Sequence, residues 1–359
     1  AAGGVAGALA AIDALNDAHV RWRQLRHLAE LAGAEAVTKA AMDVIARTAA
    51  GLSSAGRASF LRAMTPAYLN ALTAMRFFQA VAGIASSGEK AAVLRALLDR
   101  AEPAWLPHWL DAAATISSSS EKAATLRAAL GALDAHAVER FFEVARGISS
   151  SSEKGALLRD ALDHVAAGAL PRLLDAASTI PSSSERAAVL RQASASLDAA
   201  SLGAYLNAAH GIGSSSEKAS VLRAALDHVA PAALPSLVRA AATITSSSEK
   251  AAVLRRAAGR LADDAGFVAL LEATATVGSS HERARVLEAV FVREALSNEV
   301  WPLALDAAVG LGSSHEAANV LIAALAHARG DPGRTRDVLD AARAIGSSHE
   351  RDRVADAAS

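Results

Sequence analysis

Ser246-Ser247-Ser248-Glu249-Lys250-Ala251-Ala252-Val253-Leu254-Arg255 decides how the chain is read. Apolar residues fall two, four, five and eight or nine places after the glutamate, which is one face of a helix with 3.6 residues per turn. Ser246 and Glu249 have the spacing of a capping box. The serine accepts a hydrogen bond from an orphan amide of the first turn, while the glutamate reaches back to the cap's own amide. A helix therefore starts here, for a reason that folding alone supplies.

The same string returns along the chain. Its glutamates are Glu89, Glu121, Glu153, Glu185, Glu217, Glu249, Glu282, Glu316 and Glu350, at intervals of 32 five times and then 33, 34 and 34. A degenerate copy precedes them, with Ser53-Ser54 and then Gly56-Arg57 in the Glu-Lys places. Each copy is followed by a second apolar segment, such as Ala233-Leu234-Pro235-Ser236-Leu237-Val238, that ends on an aliphatic: Ile84, Ile116, Ile148, Ile180, Ile212, Ile244, Val277, Leu311, Ile345. Pro107, Pro171, Pro235 and Pro302 sit near the start of this segment, where a missing amide costs nothing. Each unit is thus two helices, A then B, and the chain is an all-α solenoid of stacked antiparallel helix pairs. The expected organisation is irregular helical repeats over 1–55, regular repeats over 56–349, and a partial repeat or polar cap over 350–359.

Composition agrees with this reading and removes several function classes. Hydrophobic residues make up 52% of 359 residues, enough for a continuous core. Lysine plus arginine number 36 against 37 for aspartate plus glutamate, so no overall field gathers nucleic acid or anionic lipid. Cysteine is absent, which excludes disulfides, thiolate metal sites and a cysteine nucleophile while leaving the compartment open, cytoplasmic or periplasmic. Charges interrupt every apolar run well short of the roughly 20 residues a spanning helix needs, so no membrane insertion is expected. The opening Ala1-Ala2-Gly3-Gly4 and the stop half a repeat after Glu350 suggest a piece of a longer protein.

The string Ser-Ser-x-Glu-Lys-Ala-x-x-Leu, repeated over roughly 53–359, resembles the HEAT-like and armadillo-like arrays of bacterial proteins, including arrays attached to membrane-anchored peptidases. That resemblance implies a right-handed superhelix with helix B on its inner layer. It implies nothing about catalysis, because no peptidase segment is present.

Candidate sites weigh against catalysis too. His281-Glu282, His315-Glu316 and His349-Glu350 open a zinc-peptidase motif, but the residues at its fifth position are Arg285, Asn319 and Arg353, so the second ligand is missing each time. Nor can histidines on stacked repeats about 8 to 10 Å apart share one metal. The serine loops lack a histidine base and an orienting group, and neither a nucleophile elbow nor a phosphate loop occurs. We expect no enzyme activity, no metal and no cofactor.

Helix B holds the informative rows. Ten places before each glutamate stand Gln79, Asp111, Glu143, Asp175, Asn207, Arg239, Glu272, Asp306 and Asp340. Three places earlier are Arg76, His108, Arg140, Arg172, Ala204, Ser236, Ala269, Leu303 and Asp337, and three places later Ala82, Ala114, Arg146, Ser178, His210, Ala242, Ala275, Val309 and Arg343. At about 100° per residue these rows share one exposed stripe opposite the core aliphatic. Arg140–Glu143 and Arg172–Asp175 read as same-helix pairs, whereas Glu272, Asp306, Asp337 and Asp340 read as acids without such partners. Those four, with Arg239 and Asn207, are the candidate partner-binding residues. Helix A carries Arg95, Arg127, Arg159, Arg191, Arg223 and Arg255, with Asp99, Asp163 and Asp227 four places after three of them.

The function expected from these features is a non-enzymatic scaffold that holds a protein or extended peptide along helix B. Alternatives are a structural subunit of a larger assembly and a nucleic-acid-binding helical repeat protein. Near-invariant loops, and a glutamate in the first turn of each helix A that repels phosphate, weigh against the last.

Overall fold

The computed structural model describes residues 4–32, 39–69, 73–98, 103–292 and 296–359. Among them every regular element is helical. The chain divides into two compact units, Ala1–Pro181 and Ser182–Ser359.

The first unit contains α1 (Gly4–Asp13), α2 (Ala18–Ala32), α3 (Lys39–Ala50), α4 (Ser54–Tyr68), α5 (Ala74–Ala82), α6 (Ser87–Leu97), α7 (Leu106–Ala114), α8 (Ser119–Ala128), α9 (Ala137–Arg146), α10 (Ser151–Leu162) and α11 (Leu170–Ser178). The second contains α12 (Ser183–Ala193), α13 (Leu202–His210), α14 (Ser215–Leu226), α15 (Leu234–Ala242), α16 (Ser247–Ala258), α17 (Asp264–Ala275), α18 (Ser280–Phe291), α19 (Val300–Val309), α20 (Ser314–His327), α21 (Pro332–Ala342) and α22 (Ser348–Ala357).

In each unit helices pack on the next helix of their own type as well as on their sequence neighbour. In the first, α4, α6, α8 and α10 form the A row and α5, α7, α9 and α11 the B row. In the second, α12 through α22 supply the even A row and α13 through α21 the odd B row. This is an α-solenoid arrangement. The aliphatic that closes each B segment is buried throughout, from Ile84 at 1% exposure to Leu311 at 7%.

Starts and stops follow the sequence. Ser53, Ser86, Ser118, Ser150, Ser182, Ser214, Ser246, Ser279, Ser313 and Ser347 are each an N-cap whose hydroxyl accepts the amide three places on. Pro107, Pro171 and Pro235 lie in the first turn of α7, α11 and α15.

The return bond of the capping box does not form where it was expected. The amides of Ser118 and Ser246 donate instead, at 3.2 Å, to the hydroxyls of Ser87 and Ser215, the first helical residues of the preceding repeat. Glu121 and Glu249 are thereby released. They accept from Arg95 at 3.0 Å and Arg223 at 3.2 Å, again one repeat back. A motif that reads as local is thus an inter-repeat staple.

Candidate functional site

The expected stripe is exposed. Asn207, Arg239, Glu272, Asp306, Asp337 and Asp340 all face solvent, on α13, α15, α17, α19 and α21 of the second unit. One member of the three rows departs from this: Ala269 is buried at 5% exposure, because α17 packs that edge against its neighbours.

Pairing along the stripe differs from the same-helix reading. In the first unit Arg140 does pair with Glu143 at 2.7 Å, but it also reaches Asp111 of the preceding repeat at 2.7 Å. Arg172 turns to Glu139 at 3.2 Å, and Asp175 pairs with Arg146 at 3.8 Å. Neighbouring B helices lie close enough for long guanidinium arms to choose either partner.

In the second unit Asp340 has the same-helix cation that the sequence reading denied it, Arg343 at 3.0 Å. Asp337 accepts a 3.2 Å hydrogen bond from the indole of Trp301, which is stacked on His327 and capped by the Arg334 guanidinium 4.9 Å from its ring centre. Both acids therefore have structural work. Glu272 and Asp306 have no ion-pair or hydrogen-bond partner among the described residues, and Leu303, one turn before Asp306, is 45% exposed. The strip is accordingly smaller than expected, two free acids beside an exposed leucine.

Four of the helix A arginines are ion-paired. Besides Arg95 and Arg223, Arg191 pairs with Glu217 at 2.6 Å and Arg127 pairs with Asp160. Asp227 pairs with Arg256 of the following repeat at 2.6 Å, an inter-repeat ion pair. Asp99 lies outside the described residues. His281 and His315, exposed at the second helical position, bond to Glu316 at 3.0 Å and Glu350 at 3.3 Å of the following repeat. They take over as inter-repeat partners where the arginine row gives way to Glu288 and Ile322.

A row that the sequence reading passed over is the cation after each glutamate. Lys90, Lys122, Lys154, Arg186, Lys218 and Lys250 are all below 10% exposed. The charged ends of Lys90, Lys154, Arg186 and Lys250 cap C-terminal carbonyls of helix B, where the helix dipole favours a cation. Lys90 donates to Thr115 O at 3.1 Å and its Oγ1 at 2.7 Å, and Lys250 to Thr276 O at 3.0 Å and its Oγ1 at 2.9 Å. Burial pushes the ammonium groups of all five lysines below the ordinary value. The signal was present: a lysine or arginine directly follows every glutamate of the series from Glu89 to Glu282.

Two cavities were also unforeseen. One, of about 380 Å³ within residues 133–172, lies in the first unit, and the other, of about 440 Å³ within residues 197–236, lies in the second. Every residue lining the second has its counterpart 64 positions earlier (197 less 133) in the lining of the first. Leu133, Asp134, His164 and Val165 match Leu197, Asp198, His228 and Val229 in type as well as register. In the second cavity the hydroxyl and amide of Ser201 both bond Asp198 Oδ1, at 2.6 and 2.8 Å, and hold its carboxyl below the usual range. In the first, Asp134 Oδ1 accepts the amides of His136 at 3.0 Å and Ala137 at 2.8 Å. The prolines 107, 171 and 235, themselves 64 apart, were the available clue to this double period.

Among the described residues no cluster of three or more histidine, aspartate or glutamate side chains is placed to hold a metal ion, and no helix is long and apolar enough to cross a membrane.

No protein-family model and no curated protein matches the chain. Solved structures that resemble it include a chain in a homology model of the full-length AP-3 complex in an intermediate open conformation, at 10% identity and a TM-score of 0.32, covering 98% of this chain and 82% of that one. Another is a circular tandem repeat protein with novel repeat topology, at 15% identity and a TM-score of 0.19, covering 98% and 84%. The fold assignment stands on the helices themselves.

Proposed function

We propose that the chain is a non-enzymatic interaction scaffold, and that the helix B surface of its second unit holds an extended segment of a protein partner. The observation that supports this is the contrast within one helix. Buried B positions stay apolar or aromatic and close on an aliphatic in every copy, while Asn207, Arg239, Glu272, Asp306, Asp337 and Asp340 on the exposed side range over amide, cation and acid. A uniform frame with a varied face suits recognition spread over several repeats. Glu272 and Asp306 supply unneutralised charge and Leu303 an apolar contact, so the partner segment is basic there.

The nucleic-acid alternative loses its strongest feature, because Arg95, Arg127, Arg191 and Arg223 are spent on carboxylates of the next repeat. A structural subunit of a larger assembly would use the same surface with a permanent partner.

The test is capture of binding proteins by the wild-type chain and by the Glu272→Lys, Asp306→Lys variant at two salt concentrations. Exposed substitutions of this kind change stability by no more than about 0.5 kcal/mol. A specific partner retained by the wild type, weakened by salt and lost with the variant supports the reading. Equal retention by both proteins sinks it, and retention of nucleic acid in place of protein moves the chain to the rival class.

A further inference from the structure

The paired cavities ask for an explanation that folding does not supply. Duplication accounts for their matching register, and capping accounts for the aspartates. Neither accounts for the space, which exposed alanines at Ala135 and Ala199, and at Ala166 and Ala230, leave open beside half-buried Leu133, Val165 and Leu197 and buried Val229. Volumes of about 380 and 440 Å³ lie in the range of small-ligand sites, which combine apolar walls with a few placed polar groups.

An aspartate and a histidine are common to both, while Glu139 and Arg172 line the first alone and Ser236 the second. Oδ1 of Asp134 and of Asp198 is committed to the start of the following helix, which fixes the carboxylate, while Oδ2 has no hydrogen-bond partner among the described residues. His164 and His228 line the cavities too. Nδ1 of His164 contacts the carbonyl of Asp160 at 2.9 Å, leaving Nε2 for solvent or ligand. No lysine or arginine lines the second cavity, and in the first Arg172 is held by Glu139 at 3.2 Å. A fixed anionic oxygen without a cation, over an apolar floor, complements an aliphatic group that brings its own cationic N–H donor. Arg172 and Ser236 belong at once to the cavities and to the exposed helix B rows, so a segment lying on helix B reaches them.

We propose that the two cavities are equivalent pockets for an aliphatic side chain of a peptide segment, with an adjacent lysine or arginine bonded to Asp134 or Asp198. The peptide nature of the occupant rests on the scaffold reading. The pockets themselves are independent of Glu272 and Asp306.

The experiment is methyl NMR of the full chain titrated with the blocked dipeptide acetyl-Leu-Arg-amide, with acetyl-Leu-Gln-amide and acetyl-Gly-Arg-amide as controls. Saturable shifts are expected at the methyls of Leu133 and Val165 and of Leu197 and Val229, with binding about fivefold weaker for either control. Ala199→Leu should abolish the response at Leu197 and Val229 and spare Leu133 and Val165. Asp198→Asn should weaken the second site about fivefold without touching the first. Should Ala199→Leu fail to fold, Ala135→Leu and Asp198→Asn carry the test. Unsaturable or scattered shifts, equal binding of the glutamine dipeptide, or an unaltered response in the filled variant overturn the proposal. Glu272→Lys, Asp306→Lys should leave dipeptide binding unchanged, so the pockets and the helix B surface stand or fall separately.

Discussion

The ammonium of Lys154 donates to Oγ1 of Thr179 across 3.0 Å, one helix pair further along, and to the carbonyl of Arg146 at 2.8 Å. One cation thus ties the C-terminal end of α9 to that of α11, with only 4% of Lys154 exposed. Replacing Lys154 by methionine keeps the buried stem and strands the carbonyls, at an expected cost of about 1–3 kcal/mol by thermal or urea unfolding. A melting curve equal to wild type would leave the ammonium without a stabilising role.

The same group gives a pH dependence whose sign is fixed. Burial sets its folded pKa below the ordinary lysine value of 10.5, so the unfolded chain binds the proton more readily. The stability this represents is complete above 10.5 and is lost as pH falls through the folded pKa. Unfolding free energy from this residue therefore rises with pH in the alkaline window below 10.5. Lys154→Met should flatten that rise in urea titrations taken between neutral pH and the alkaline limit. An unchanged slope would place the ammonium in water.

Gly211 offers a sharper contrast. A Cβ there would run into the Arg186 guanidinium, whereas a Cβ on Gly203, in the same helix pair, meets nothing within 4 Å. Gly211→Ala should cost about 1–3 kcal/mol as Arg186 is pushed off its carbonyl. Gly203→Ala should be neutral or stabilising by up to about 1 kcal/mol, since alanine is the better helix former. Chemical denaturation of the two variants side by side decides the matter, and equal effects would count against the close approach.

Legibility divided along the range of the interactions. Serine caps, first-turn prolines and core aliphatics act within a few residues, so Ser118, Pro171 and Ile244 could be placed from spacing alone. Glu121 could not, because its partner Arg95 stands one repeat away and competes with a local bond of similar strength. The exposed side of helix B was read correctly for Asn207 and Arg239. The pairing of Asp340 with Arg343 was missed although both residues had been placed on the stripe. The cavities escaped because an empty space has no residue of its own in a sequence.

Serines in the loop should therefore matter for two reasons. Ser118→Ala removes the cap on α8, costing about 1 kcal/mol. Ser119→Ala caps nothing, yet its hydroxyl contacts Ser149 at 2.8 Å and takes the Ser150 amide at 3.2 Å, so it should cost a comparable amount. Scanning calorimetry on the two single variants and the double tests this. A silent Ser119→Ala would reduce the inter-repeat staple to a coincidence of spacing.

The double period seen in the cavities also bears on which deletions the chain tolerates. Helix B carries Phe141-Phe142 in one repeat and Leu173-Leu174 in the next, all at 0 or 1% exposure, and the following copies carry Tyr205-Leu206 and then Leu237-Val238. Over these four repeats bulky and slim pairs succeed one another, whereas the two before them carry Phe77-Phe78 and Trp109-Leu110, and the Tyr205 hydroxyl donates to Val221 O of the next repeat at 2.9 Å. Deleting Glu185 to Ser216, one 32-residue repeat, sets two slim repeats side by side and leaves a void where an aromatic ring belonged. Voids of this kind cost about 2–5 kcal/mol per lost large side chain. Deleting Glu153 to Ser216, two repeats, joins a bulky repeat to a slim one as in the intact chain. If all interfaces were alike, the chain with more repeats would be the more stable. We expect the reverse order, with the 64-residue deletion melting at or above the 32-residue deletion and still binding acetyl-Leu-Arg-amide in one pocket formed by Asp134 and His228. Melting temperatures in the order of length would show that the repeats are interchangeable and the double period is without energetic weight.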